Sequence, residues 1–129
     1  MDCPSCATSM LAFAVPEEYA GAVPDDTDAV AICPRCLTLE PATPPEDEPS
    51  FEAMGDGFPS DPEAGIPMAL LVGLLDSLAL YRSEISDLLS AVERAGVDPL
   101  LVLDRLAADS TVETDLDLRG RRKQLEQLL

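Results

Sequence analysis

Two short apolar runs open the pattern of the chain, Met10 to Val15 and Ala29 to Ile32. Each is long enough for a strand and too short for a helix, so residues 1–43 read as a small β-rich unit. Met10, Leu11, Phe13 and Val15, then Val30 and Ile32, then Leu37 and Leu39 supply the apolar positions of a thin sheet. From 44 to 65 the alternation dissolves. Pro44, Pro45, Pro49, Pro59 and Pro62 are interspersed with Glu46, Asp47, Glu48, Glu52, Asp56, Asp61 and Glu63, which predicts an extended, charged linker. Phe51, Met54 and Phe58 interrupt it, and fit either anchoring against a neighbour or a place on the surface.

Residues 66–129 change to helical periodicity. Leu71, Leu74, Leu75, Leu78, Ile85, Leu88, Leu89 and Val92 recur at three- and four-residue spacing, with Asp76, Ser83, Glu84, Asp87, Ser90 and Glu93 elsewhere. The spacing predicts one amphipathic helix with Pro67 in its first turn, ending near Ala95, with Gly96 as a left-handed cap. At 1.5 Å per residue it would be about 40 Å long. Asp98 and Pro99 form an N-cap and first-turn pair for a short helix to about Ala108, with Leu100, Leu101, Leu103 and Leu106 inward. Thr114 or Asp115 is the expected cap of a third helix running from Leu116 to the C-terminus, with Leu118, Leu125, Leu128 and Leu129 on its apolar side. Such helices make a small hairpin or bundle. A monomer is favoured over a homodimer formed through the 67–95 helix, because Gly73 interrupts the leucine stripe and sustained heptad charges are missing.

Composition narrows the chemistry. The 129 residues carry 25 acidic and 8 basic side chains, a net charge of −17, with 47% hydrophobic residues, so the chain is acidic but foldable. Histidine is absent, which removes every mechanism that needs an imidazole. Seven of the eight basic residues are arginine and only Lys123 is lysine, and the carboxylates are spread from Asp2 to Glu126. This resembles the composition of halophilic proteins. At molar salt the Debye length falls to about 3 Å, which screens the self-repulsion of so acidic a chain. The alternative is an ordinary acidic protein with a partner of opposite charge. No start combines basic residues, an apolar stretch and a cleavage site, and the uncharged apolar run from Pro67 to Leu75 is far short of a membrane span. A cytoplasmic location without membrane association is the expectation.

The four cysteines stand in two matched pairs, Cys3-Pro4-Ser5-Cys6 and Cys33-Pro34-Arg35-Cys36. Two C-x-x-C knuckles supply four thiolates and read as one closed tetrahedral metal site with Cys3, Cys6, Cys33 and Cys36 as ligands. Zn²⁺, one per chain, is the expected ion. Iron has the same ligand set, disulfides would suit an exported protein, and a redox dithiol would need a βαβ setting. Arg35, between two ligands, reads as a solvent-facing knuckle residue.

On these residues the segment resembles a zinc ribbon of the CPxC type, and the whole chain resembles the small CPxCG-related zinc-finger proteins of haloarchaea, a group without assigned function. The resemblance implies two knuckles at the tips of β-hairpins clasping one Zn²⁺. Ala7 and Leu37 stand where that pattern has glycine, so each turn must tolerate a side chain. The expected fold class is α+β, a four-cysteine zinc ribbon with a short antiparallel sheet, followed by the linker and the helical region.

With four cysteines closing the metal, no histidine and no phosphate loop, the chain is not expected to be an enzyme. Zinc ribbons commonly associate with nucleic acid, yet residues 1–64 hold fourteen acidic residues and only Arg35 as a base. The one basic cluster, Arg119, Arg121, Arg122 and Lys123, reads as pairing on a solvated helix. The expected function is therefore that of a small adaptor or regulator with a protein partner. A nucleic-acid-associated ribbon, serving transcription or translation, is the alternative.

Overall fold

A computed structural model describes residues 1–23 and 27–128. The fold is α+β: a three-stranded antiparallel sheet near the N-terminus is followed by helices. The strands are β1 (Leu11–Ala14), β2 (Ala29–Ile32) and β3 (Leu39–Pro41), in the order β1-β2-β3. Both expected strand runs are present, and the register pairs Leu11 with Ile32 and Phe13 with Val30 on one side, and Ile32 with Leu39 on the other. Side chains alternate across a strand, so the central β2 serves two environments. Val30 and Ile32 join Phe13 in the main core, while Ala31 faces a second, smaller cluster with Cys3, Met10 and Cys33. All four residues of β2 are buried.

The helical half departs from the single long helix. Its apolar run divides into α1 (Pro62–Leu74), a tight turn over Leu75–Ser77, and α2 (Arg82–Arg94), which packs back against α1. The reason lies in how the two segments are buried. α1 is apolar nearly all round, with Ala64, Pro67, Met68, Ala69, Leu70, Leu71, Val72 and Leu74 buried, whereas α2 has one stripe of Ile85, Leu88, Leu89 and Val92. A helix buried on every side needs partners on every side, and folding α2 back supplies one of them. Leu80, in the connection, is left 81% exposed.

α1 also starts earlier than expected. Asp61 Oδ1 accepts the Glu63 amide at 3.0 Å and Pro62 takes the first position, where it has no amide to lose. Pro67 is therefore inside the helix, not in its first turn, and Glu63 receives no i+4 amide. At the end of α2, Gly96 has φ +88°, and the Val97 and Gly96 amides bond to the Val92 and Glu93 carbonyls. This is a Schellman closure at the glycine that the sequence marked.

α3 (Pro99–Ala108) has the expected cap, Asp98 accepting from Leu100 and Leu101. Its buried residues are Pro99, Val102, Leu103 and Leu106; Leu100 is partly buried, and Leu101 is exposed, not inward. α4 (Leu118–Glu126) is capped by Asp117, which accepts the Gly120 amide at 3.1 Å, instead of by Thr114 or Asp115. Thr114 accepts the Leu116 amide in the preceding turn. Leu118 and Leu125 are buried and Leu128 is partly so; Leu129 lies outside the described residues. No helix among the described residues is long and apolar enough to cross a membrane.

The segment read as a linker contributes to the core. Phe51 and Met54 lie in a 3₁₀ turn (Phe51–Met54) and, with Phe58, are buried. Phe51 stacks with Phe58 at 5.8 Å between ring centres and meets Phe13 of β1 at 5.4 Å, which ties sheet and helices into one core. Two glycines of α1 make the approach close enough. A side chain on Gly65 would meet the Phe51 ring at 2.5 Å, and one on Gly73 would collide with Leu39 of β3.

Gly65→Ala tests this packing. Helix propensity alone favours alanine by about 1 kcal/mol. Overpacking against a fully buried ring instead predicts a net loss of about 1–3 kcal/mol. Denaturant unfolding should show the midpoint falling for Gly65→Ala; a rise would mean that Phe51 moves aside freely.

Candidate metal centre

The structure brings the four cysteines together from two hairpin tips. In the first, an isolated bridge between Asp2 and Ser9 leads into the loop, the Cys3 amide bonds to the Thr8 carbonyl at 2.8 Å, and the Ala7 amide to the Cys3 carbonyl at 2.8 Å. In the second, which joins β2 to β3, the Cys33 amide bonds to the Thr38 carbonyl at 3.0 Å and the Leu37 amide to the Cys33 carbonyl at 2.9 Å. The two loops are thus built on the same hydrogen bonds.

Each loop closes through a left-handed residue. Ala7 has φ +61° and Leu37 φ +66°, the two positions where the resembling pattern carries glycine. For residues with a Cβ this conformation costs roughly 1–2 kcal/mol. Ala7 is exposed, whereas Leu37 is buried in the main core, so its side chain has a packing role that a glycine could not fill.

All four sulfurs lie within 4.8 Å of one another. Cys3 Sγ is 3.6 Å from Cys36 Sγ, and Cys6 Sγ is 3.4 Å from Cys33 Sγ and 3.9 Å from Cys36 Sγ. Sulfurs around a tetrahedral ion with metal–sulfur bonds near 2.3 Å sit about 3.8 Å apart, so the cluster has the dimensions of such a site and could hold a metal ion. The cysteines are free, and these separations exceed a disulfide's roughly 2.05 Å.

The four positions are not equivalent. Cys3 and Cys33 are buried beside Met10 and Ala31, while Cys6 and Cys36 are half-buried and border a cleft of about 590 Å³ between the knuckles and the α1–α2 turn. Burial pushes the Cys33 thiol up to about 12, because the charged form loses its hydration there. Thr8, bonding to Cys6 through its hydroxyl and its backbone, draws that thiol down to about 6. An ion held by all four would have to displace the Cys33 proton, so metal uptake at neutral pH releases acid.

Two neighbours carry no signal as isolated residues. Thr8 Oγ1 lies 3.4 Å from Cys6 Sγ and Thr38 Oγ1 3.1 Å from Cys36 Sγ. Read together, the loops are Cys-Pro-x-Cys-x-Thr twice, a doubled motif in which the threonine was as visible as the cysteines. The third partner was not visible. Arg35, read as simply solvent-facing, is half-exposed but forms an ion pair with Glu113, Nη2 to Oε2 at 2.7 Å, and its carbonyl accepts the Glu113 amide at 2.7 Å. A half-exposed pair contributes little energy, but together with the backbone bond it fixes the second knuckle against the segment between α3 and α4. In the basic cluster, Arg122 pairs with Asp104 and Glu126, Arg121 bonds to Gln124 and to the Asp76 carbonyl, and Arg119 and Lys123 are exposed.

Fold and cluster together define a small α+β protein with a four-cysteine site. The chain belongs to a family of unknown function (DUF6276), whose model matches residues 2–129. No curated protein and no solved structure matches it.

The strained left-handed turns give a direct test. Ala7→Gly should stabilise the protein by about 1 kcal/mol, since glycine adopts positive φ without penalty. Leu37→Gly should destabilise it despite the same relief, because removing a buried leucine costs roughly 2–5 kcal/mol. Thermal unfolding of the two variants in one buffer separates these outcomes, and equal shifts would contradict the roles assigned to the two side chains.

Proposed function

We propose that Cys3, Cys6, Cys33 and Cys36 bind one Zn²⁺ as a structural centre of zinc-ribbon type, and that the protein acts without catalysis, as a small adaptor or regulator with a protein partner. The observation that carries the metal reading is the near-tetrahedral spacing of the four sulfurs, 3.4 to 3.9 Å for the closest pairs. Four soft thiolates without an open position suit a redox-silent structural ion, and zinc is the ion whose chemistry matches them best. The thin cluster around them, Met10, Ala12, Ala31 and Ala42, holds few large apolar side chains, so the ion would supply much of the ordering energy for the hairpin tips.

The adaptor reading is supported by what surrounds the centre. Cleft residues Asp76, Glu113 and Asp115 are acidic, which makes the cleft beside the cysteines a poor seat for phosphate. The acidic, arginine-biased composition and the doubled knuckle fit a haloarchaeal CPxCG-related zinc-finger protein working in a salt-rich cytoplasm.

Cys33→Ser is the deciding variant. Wild-type protein purified in high salt should carry one zinc per chain by elemental analysis, and the variant should carry less than a tenth of that while keeping most of its helical circular dichroism. Full metal content in Cys33→Ser would rule out four-thiolate ligation. A bound species retained from lysate only by the zinc-loaded wild type should be protease-sensitive; nuclease sensitivity would point to the nucleic-acid reading instead.

A further inference from the structure

The two half-buried sulfurs are the two with a threonine hydroxyl beside them. Cys6 and Cys36 border the 590 Å³ cleft, and Thr8 and Thr38 lie 3.4 and 3.1 Å from their sulfurs, whereas Cys3 and Cys33 are buried and have no side-chain hydroxyl within bonding distance among the described residues. As the contacts stand, the Cys6 thiol donates to Thr8 Oγ1, and either atom could donate between Cys36 and Thr38. A metal-bound thiolate has no proton to give, so with an ion bound the hydroxyl would be the donor in both. A donor on a thiolate withdraws charge from its lone pairs, which weakens it as a nucleophile and as an electron donor to the metal. The same offset, two residues after the second cysteine of each knuckle, repeats in both loops, with the same backbone bonds from Cys3 to Thr8 and from Cys33 to Thr38.

We propose that Thr8 and Thr38 are positioning residues of the metal centre, whose hydroxyls hold and quench the two cleft-facing thiolates, so that attack on the centre begins at Cys6 and Cys36 and is slowed there by these bonds. The assignment rests on the reading of the cysteines as metal ligands. Small electrophiles can enter the cleft and reach Cys6 and Cys36. With iodoacetamide the sulfur lone pair forms the S–C bond, the C–I bond breaks and iodide leaves, and the resulting thioether is a poor ligand that lets the ion go.

The test uses the full chain loaded with zinc or cobalt, comparing wild type with Thr8→Val, Thr38→Val, Thr8→Ser and Thr38→Ser. Valine keeps the shape and deletes the hydroxyl; serine keeps the hydroxyl. With iodoacetamide, zinc release followed by a chromogenic chelator should be about three- to tenfold faster in each valine variant, the gain expected when one ordinary hydrogen bond is lost. Peptide mapping should find the first label on Cys6 or Cys36. In the cobalt form the sulfur-to-metal charge-transfer band should move to longer wavelength in the valine variants and return towards its wild-type position in the serine variants. That spectral shift and its rescue report on electron density at sulfur, which a merely structural role for threonine would not move.

Unchanged rates and bands in the valine variants, serine variants that behave like valine, or first labelling at Cys3 or Cys33 would each overturn the assignment. A valine variant that fails to fold leaves the other knuckle's variant and the wild-type labelling order to decide the question. Wild type that takes up one cobalt per chain while the valine variants match it in rate and band would defeat this assignment alone; wild type that takes up none would defeat the metal reading and this assignment together.

Discussion

Four cysteine sulfurs within 4.8 Å of one another are the constraint from which the N-terminal half of this protein is built. Thiolates so close would repel, and burial raises the cost of charging Cys33, so a shared cation is what would make such an arrangement favourable. Reaching that arrangement forces the rest. Both loops must turn within four residues, which puts Ala7 and Leu37 in the left-handed region. Both loops must also converge, which the antiparallel β1-β2-β3 order achieves by placing them at one end of the sheet. β2 then has to serve two sides at once, presenting Val30 and Ile32 to the helical core and Ala31 to the sulfurs.

The second organising element is α1. Because it is apolar on nearly every side, it can stand between the sheet and α2 as a platform against which both pack. Phe51 at Gly65 and Leu39 at Gly73 show how closely the N-terminal half is seated on it, and Phe13, Phe51 and Phe58 link the layers through aromatic contacts. The sulfur cluster is therefore not an appendage on a tether. Its second knuckle is joined to the helical half through Leu37 in the core, Leu39 on α1, and Arg35 bonded to Glu113. These joints place the cleft beside Cys6 and Cys36, where the knuckles face the turn between α1 and α2.

What the sequence disclosed was local. Cysteine spacing, the two strand runs, the Asp98–Pro99 cap and the Gly96 closure each depend on neighbours a few residues away, and the structure places them as read. What it concealed depended on contacts far apart in the chain. A 3.6-residue period persists through residues 67–95 whether the helix runs straight or folds back, because the period records which face is apolar and not where the chain turns. Asp61–Pro62 carries the same capping signature as Asp98–Pro99, yet the surrounding proline and acid content masked it. Phe51, Met54 and Phe58 could be weighed only as anchors or surface residues until Phe13 and Gly65 were seen to receive Phe51. The Arg35–Glu113 pair spans 78 positions and left no trace in either local segment.

X-ray absorption at the zinc edge, on protein purified without added metal and quantified per chain, reaches the central claim most directly. One zinc per chain with a shell of four sulfurs at about 2.3 Å is the predicted result. A shell containing nitrogen or oxygen, iron in place of zinc, or a metal-free protein whose mass shows the cysteines oxidised to disulfides would contradict it.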